Sequence, residues 1–188
     1  MALNGQKVLP AVHKLKDVEA VLTSRFTYMV LLGGHLGQLK NIVDLADRHG
    51  KKVLLHADLI DGLKNDEYAA EFLCQSIRPA GIISTRASVI GRTKQNGLIA
   101  IQRLFLIDSD ALERSYTQLD KVRPDYIEVL PGVIPDIIRE VKERSGISII
   151  AGGLIRTREH VSQAIEAGAS AITTSRKELW KAEAAPGI

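Results

Sequence analysis

Several charged side chains in this sequence stand inside, or directly after, segments that are otherwise apolar. His56 and Asp58 end one such segment, Arg103 lies within a second and Glu128 within a third. A charge in an apolar segment is costly unless it is paired, so Asp58, Arg103 and Glu128 either form a buried ionic layer or contact a polar ligand. His56 with a carboxylate is the pair best suited to ligand hydroxyls.

A second group of residues has the chemistry of a phosphate site. Gly152 and Gly153 end one apolar segment, and Thr174 and Ser175 end the last one. Glycines let the backbone approach an anion closely, while hydroxyls and the free amides that open a helix donate hydrogen bonds to it. The alternative is a tight turn at the glycines and a helix cap at Ser175. Because two segments show the same chemistry, we favour phosphate.

The elements that must position these residues repeat along the whole chain. Eight runs rich in Val, Ile and Leu begin 20 to 29 residues apart, and such near-continuous apolar runs are typical of strands covered on both faces. The predicted strands are Val8 to Val12, Tyr28 to Gly34, Lys52 to Ile60, Gly81 to Arg86, Ile101 to Asp108, Tyr126 to Gly132, Ser148 to Ile155 and Ala171 to Arg176.

The segments between these runs have helical periodicity. Apolar residues follow the spacing i, i+3, i+4, i+7 after the sixth run, at Ile134, Ile137, Ile138 and Val141. Glycines stand where the helices would end in a left-handed residue, as at Gly146. Strict alternation of strand and helix over eight units predicts a single-domain (β/α)8 barrel, and a doubly wound open sheet is the alternative.

In such a barrel, sites form at the carboxyl ends of the strands, where the polar residues described above are found. Alternation along a strand gives His56 and Asp58 the same direction. The glycines and hydroxyls fall after the seventh and eighth strands, where many barrels bind phosphate. The expected phosphate residues are Gly152, Gly153, Thr174 and Ser175. The expected contacts to the rest of the ligand are His35, His56, Asp58, Arg86, Arg103 and Glu128.

Composition limits the class of protein. The 188 residues suit one well-buried domain, and no run of 18 apolar residues or secretory signal is present, so we expect a cytoplasmic protein without a membrane partner. The lone Cys74 permits no internal disulfide and is expected in the core. The net charge of +3 allows an anionic partner without requiring one.

An enzyme is the alternative to a ligand-binding protein. No predicted strand ends in lysine, which argues against a Schiff-base aldolase. His56 with Asp58 or Glu128 could act as an acid and base, or the carboxylates could hold a divalent metal. The remaining histidines at positions 13, 49 and 160 are expected on the solvated surface, and Trp180 is expected to pack against the barrel wall.

The sequence resembles a bacterial family, the glycerol uptake operon antiterminator regulatory proteins, over almost its whole length. One position departs from the pattern, because Gly33 stands where an acidic residue is usual. The segments that carry the resemblance are His35 to Leu39, His56 to Ile60, Gly81 to Arg86, Ile101 to Arg103, Pro124 to Gly132, Ala151 to Gly153, Thr173 to Ser175 and Leu179 to Trp180.

The resemblance implies a regulatory barrel that is not a catalyst. Such a protein senses glycerol 3-phosphate and then acts on leader mRNA, so that transcription passes a terminator upstream of glycerol-utilisation genes. The effector would be glycerol 3-phosphate, without a cofactor or metal, and the partner would be leader mRNA. A homo-oligomer is also compatible with such a regulator. The RNA activity follows from the resemblance alone.

Overall fold

In the computed structural model, which describes residues 3–180, all eight apolar runs form strands. These strands close into a parallel barrel. The closed order of the strands is β1-β10-β9-β8-β7-β6-β4-β2. Their bounds are β1 Val8–Val12, β2 Tyr28–Leu31, β4 Lys52–His56, β6 Gly81–Ser84, β7 Ile99–Phe105, β8 Tyr126–Leu130, β9 Ser148–Ala151 and β10 Ala169–Thr174. The (β/α)8 prediction is confirmed.

Seven of the eight strands end two to four residues earlier than predicted, because their last polar or glycine residues belong to the loops. The run from Lys52 ends as a strand at His56 and continues as a 3₁₀ turn, Ala57–Leu59. Two short strands outside the barrel, β3 (Gly34–His35) and β5 (Ile60–Asp61), pair with each other beyond these ends.

A helix follows each barrel strand. Several helices begin with a side-chain cap; the Asp108 carboxylate, for example, accepts from the Ala111 amide. At the end of α6, Gly146 is left-handed with φ +66° and its amide donates to Lys142, as predicted. The helices are α1 Leu15–Leu22, α2 Leu36–Arg48, α3 Glu67–Phe72, α4 Ala87–Gln95, α5 Ser109–Val122, α6 Pro135–Ser145, α7 Arg158–Glu166 and α8 Lys177–Trp180.

Apolar side chains pack in two layers. The larger layer fills the space between the strands and the helices, and it includes buried Cys74, whose pKa burial raises to about 11. The Trp180 indole packs against this layer and donates to the Thr174 carbonyl at 2.9 Å. The smaller layer fills the barrel: Leu3, Leu9, Ala11, Tyr28, Val30, Leu54, Ile83, Ile101, Tyr126, Ile150 and Ala171.

Candidate functional site

A buried carboxylate stands at the carboxyl end of the barrel interior. Glu128 is 1% exposed and lies beside Arg103 in the register of β7 and β8. The Arg103 Nε donates to Glu128 Oε2 at 2.7 Å, and the Thr173 hydroxyl donates to Oε1 at 2.8 Å. The Arg103 side chain is only 10% exposed, so this ion pair is largely shielded from water. Thr173 was not predicted, although alternation along β10 from the interior residue Ala171 would have identified it.

Gly152 leaves the space that this cluster occupies. A Cβ atom at position 152 would lie 2.6 Å from the Thr173 hydroxyl and 2.8 Å from Glu128 Oε1. The Gly152 amide donates to the Val129 carbonyl and is already used. The structure therefore places Gly152 behind the carboxylate, where its lack of a side chain gives Glu128 and Thr173 room to meet.

His56 ends β4 in the same part of the barrel. It is 2% exposed, and neither ring nitrogen has a hydrogen-bond partner in residues 3–180. Burial, assisted by the positive charge of Arg103 and opposed by the carboxylate of Asp58, lowers the pKa of His56 to about 4. The ring is therefore neutral at pH 7 and has two unused polar atoms.

Asp58 does not follow the strand alternation that was used to predict its direction, because it lies in the 3₁₀ turn after β4. It accepts from the Ser84 hydroxyl at 2.5 Å, the Thr85 amide at 2.7 Å, the Thr85 hydroxyl and the Asn65 amide. Burial raises the pKa of Asp58, but the hydrogen bonds together lower this pKa by more than burial raises it, so the net shift is downward. The carboxylate joins the loop after β4 to the loop after β6.

A cleft of about 430 Å³ opens over Glu128. Five predicted site residues line it: Arg103, Glu128, Gly153, Thr174 and Ser175. Three further polar residues in the lining, His13, Arg156 and Arg176, were not predicted as ligand contacts. They follow β1, β9 and β10 by one to five residues, in loops whose direction no periodicity predicts. The remaining lining residues are Ala11, Leu32, Leu59, Leu130, Leu154, Ile155 and Thr173.

Five predicted site residues lie outside the lining of the cleft: Gly152, His56 and Asp58, which are described above, and His35 and Arg86. His35 is exposed at the start of α2, where its Nδ1 accepts from the Gly37 amide at 3.2 Å. Arg86 is exposed at the start of α4. Both stand at the correct end of the barrel, and neither is brought into contact with the Glu128 cluster.

The loops after β9 and β10 contain the residues that were predicted to bind phosphate. Gly153 has φ +71°, a left-handed conformation that favours glycine, and its amide and that of Ser175 have no backbone acceptor in residues 3–180. The Thr174 hydroxyl is already used, because it donates to the Ile155 carbonyl at 3.0 Å and accepts from the Arg176 amide.

The cleft has an excess of positive charge. Three guanidinium groups (Arg103, Arg156 and Arg176) and one carboxylate (Glu128) line it, which leaves two positive charges in excess. Because Arg103 is paired with Glu128, the excess belongs to Arg156 and Arg176, both of which are exposed. The floor is therefore polar and neutral, and the rim is cationic.

Gly33 packs closely beneath the turn after β4. Its φ is +119°, and a Cβ atom built there would lie 2.6 Å from the Leu59 carbonyl oxygen. A side chain does not fit at this position unless the turn moves. Leu59 lines the cleft, so the conformation of Gly33 helps to set the position of that wall.

Two classes of feature are absent from the part of the chain that the structure describes. No helix in residues 3–180 has the length and hydropathy needed to cross a membrane. No group of three or more His, Cys, Asp or Glu side chains there is arranged to hold a metal ion.

Comparisons with known proteins agree with this architecture. The family model described as glycerol-3-phosphate responsive antiterminator matches residues 8–180. The solved structure of a glycerol uptake operon antiterminator regulatory protein from Listeria monocytogenes strain 4b F2365 is 52% identical, covers 94% of this chain and 95% of that chain, and has a TM-score of 0.92. A glycerol uptake operon antiterminator-related protein from Thermotoga maritima is 29% identical over 94% of this chain and 98% of its own, with a TM-score of 0.83.

A curated relative extends the comparison. The uncharacterized protein YgcP of Escherichia coli K12 is 33% identical over 178 residues, which are 95% of this chain and 93% of that protein. An antiterminator is a regulatory protein, so the family match decides between regulation and catalysis in favour of regulation. This chain belongs to the glycerol-3-phosphate responsive antiterminator family.

Proposed function

We propose that the cleft binds glycerol 3-phosphate as a regulatory effector and that the loaded protein acts on leader mRNA in the cytoplasm to prevent transcription termination. The observation that carries the effector assignment is the charge pattern of the cleft. The two positive charges of Arg156 and Arg176 on the rim match a phosphate monoester, which carries about 1.5 to 2 negative charges at pH 7. The neutral polar floor matches the hydroxyls.

The phosphate would lie at the loops after β9 and β10. Arg156 and Arg176 supply charge there, the Ser175 hydroxyl supplies a donor, and the amides of Gly153 and Ser175 are without backbone acceptors. Charge-assisted hydrogen bonds from guanidinium and amide groups are the strong contacts of phosphate sites. Gly152 and Thr174 would not contact the phosphate directly. Gly152 would leave space for the neighbouring side chains, and the Thr174 hydroxyl would hold the conformation of the loops.

The glycerol hydroxyls would meet the Glu128 cluster. Each Glu128 oxygen accepts one hydrogen bond from the protein, and a carboxylate oxygen has capacity for a second. A buried carboxylate accepts hydroxyls and repels phosphate, so it fixes the direction of the effector in the cleft. His56 adds two unused ring nitrogens close to Arg103, whereas Asp58 and Arg86 would act through the position of the neighbouring loops.

Isothermal titration calorimetry with glycerol 3-phosphate tests the effector site. We expect Arg176→Ala to weaken binding by about tenfold or more, since a charge-assisted hydrogen bond is worth roughly 1.5 to 3 kcal/mol. Arg48→Ala is the matched control, because Arg48 is exposed at the end of α2, away from the cleft face and outside the lining. Glycerol and inorganic phosphate, titrated separately, test the two halves of the site. Equal affinity in both variants would overturn the assignment of the phosphate end.

Titration of labelled leader RNA from a glycerol operon, at one stated salt concentration, tests the regulatory step. We expect tighter binding of the RNA with glycerol 3-phosphate than without it, because an effector that acts through the protein must favour the RNA-competent state. Effector binding without any RNA response would contradict the RNA part of the proposal. Turnover of the effector would instead support a phosphoester enzyme.

A further inference from the structure

The barrel end that carries the cleft, here called the cleft face, also carries most of the exposed apolar side chains. Of the eight large apolar residues that are exposed in residues 3–180, five lie in segments that directly follow a barrel strand, and a sixth is the last residue of β7. Single exposed apolar residues are common, but their concentration at one end of a molecule marks an interaction surface. The six are Leu15, Leu59, Phe105, Ile107, Ile134 and Leu154.

These side chains form two groups on opposite sides of the barrel. One surrounds β8: Phe105 pairs in register with Leu130, and Leu130 packs against Gly153, which precedes the exposed Leu154. The other surrounds β2, whose neighbours β1 and β4 are followed by Leu15 and Leu59. In the closed strand order, β8 and β2 are diametrically opposite.

The loops after β9, β10 and β1 form a basic sector between the two apolar groups. In residues 13–17, 156–159 and 175–178 there are six basic residues and three acidic residues. Lys14 caps α1, Arg158 begins α7 and Lys177 begins α8. Each of these helices has an acidic residue in its first turn, and Lys177 pairs with Asp17, but the six basic residues still outnumber the three acidic ones.

The opposite sector is acidic. In residues 61–67, 85–88 and 105–110, which follow β4, β6 and β7, there are five acidic residues and two basic residues. Asp61, Glu67, Asp108 and Asp110 are all exposed. The cleft face therefore has an acidic half and a basic half, which are separated by the two apolar groups.

We propose that the cleft face binds the cleft face of a second copy of this chain. A two-fold axis that lies in the interface along the line from β2 to β8 places each basic sector on the partner's acidic sector. The same axis places each apolar group on its own counterpart. A surface with this arrangement is self-complementary, which is the requirement for an isologous dimer.

Charge and composition favour a second copy over RNA as the occupant of this face. The acidic sector repels phosphates, so a nucleic acid would meet attraction on only half of the surface. Five of the six apolar residues are aliphatic, whereas single-stranded RNA is bound by stacking on aromatic side chains. The proposal depends on the face itself and not on the identity of the effector.

Sedimentation velocity over a concentration series, at low salt and without effector, measures the self-association. We expect a monomer–dimer equilibrium whose dissociation constant rises about tenfold or more in the double variant Phe105→Ser with Ile107→Ser. Ile107 is 82% exposed, so the fold does not depend on its burial. Phe72→Ser is the matched control, since Phe72 is 42% exposed at the far end of α3 and should leave the equilibrium unchanged.

A charge exchange tests the orientation of the two copies. One chain carries Lys16→Glu with Arg158→Glu in the basic sector, and the other carries Glu67→Lys with Asp110→Lys in the acidic sector. Each chain alone should dimerise at least about tenfold more weakly, because the two-fold axis repeats the two substitutions in both halves of the interface and each half then sets like charges against each other. Mixing the two chains should restore a heterodimer, since both halves of its interface pair acid with base: the two substituted sectors meet in one half and the two unsubstituted sectors in the other.

Three outcomes would overturn the proposal. The first is a monomer at every concentration up to the solubility limit, and the second is a dimer that none of the face variants weakens. The third is a monomer whose RNA binding is lost in the Lys16→Glu, Arg158→Glu chain, which would assign the cleft face to RNA. Effector titration is measured separately on the same chains, so failure of the dimer and failure of the effector site are distinguished.

Discussion

The His56 ring is buried, yet neither of its nitrogens has a hydrogen-bond partner in residues 3–180. Its pKa of about 4 in the folded protein compares with about 6.5 in an unfolded chain. Between these two values the unfolded state binds more protons. Above pH 6.5, His56 should therefore leave the free energy of unfolding unchanged. As the pH falls from 6.5 toward 4, protonation of His56 should lower the free energy of unfolding by on the order of 3 kcal/mol.

Urea unfolding of wild type and His56→Gln at pH 7 and pH 4.5 checks this prediction. The variant should lack most of the loss seen in wild type, because its side chain does not titrate. His49→Gln is the control, since His49 is exposed at the end of α2. The pKa of Asp58 is lowered from 3.8, so the titration of Asp58 affects stability below the pH range of this comparison. The same pH dependence in wild type and His56→Gln would contradict the prediction.

Gly33 should not tolerate the acidic residue that is usual in the family pattern. An aspartate there would combine a left-handed φ of +119° with a Cβ atom 2.6 Å from the Leu59 carbonyl. We expect Gly33→Asp to lower the free energy of unfolding by about 2 kcal/mol or more. Gly62→Asp separates the two causes, because its φ is +84° but its Cβ would have 3.9 Å to the nearest atom. A Gly33→Asp protein as stable as wild type would mean that the turn moves freely.

At the scale of the elements, Asp58 joins the loop after β6 to the loop after β4, and the latter contributes Leu59 to the lining of the cleft. Removal of its carboxylate leaves the Ser84 hydroxyl, which is 0% exposed, and the Thr85 amide without their acceptor. We expect Asp58→Ala to cost about 3 kcal/mol of stability, and the Thr85 amide to exchange its hydrogen faster. Asp66→Ala, which removes a helix cap on α3 instead, should leave Thr85 protection unchanged. Unchanged protection in Asp58→Ala would show that the loops are held by other contacts.

The strands of this barrel were predictable because each is buried on both faces and therefore reads as an apolar run. The ends of the strands were not, since Asp58 and Ile60 continue the pattern of their run although the backbone has turned after His56. Arg103 and Glu128 were expected to converge at one end of the barrel, and they meet because both lie within strands that pair in register. Arg156 and Arg176 lie in loops, whose direction depends on tertiary contacts that no local periodicity encodes.

At the scale of the whole molecule, the cleft opens on the same face as the proposed dimer interface, so effector and dimer must influence each other. Arg156 and Arg176 belong to the basic sector and also form the cationic rim. A bound phosphate ester brings about 1.5 to 2 negative charges to that sector and weakens its attraction for the acidic sector of a second copy.

We therefore expect glycerol 3-phosphate to raise the dimer dissociation constant, by about fivefold for a coupling free energy of 1 kcal/mol. Linkage requires the reciprocal effect, so the effector should bind more weakly at protein concentrations where the dimer dominates, and by the same factor. Sedimentation velocity with and without effector, and calorimetry at low and high protein concentration, measure the two sides of this cycle. In Arg176→Ala, the effect of the effector on the dimer and the effect of the dimer on effector binding should both become smaller. The reason is that the Arg176 side chain belongs to the cationic rim of the cleft and to the basic sector of the dimer interface. An effector that tightens the dimer would show that filling the cleft outweighs the loss of charge complementarity.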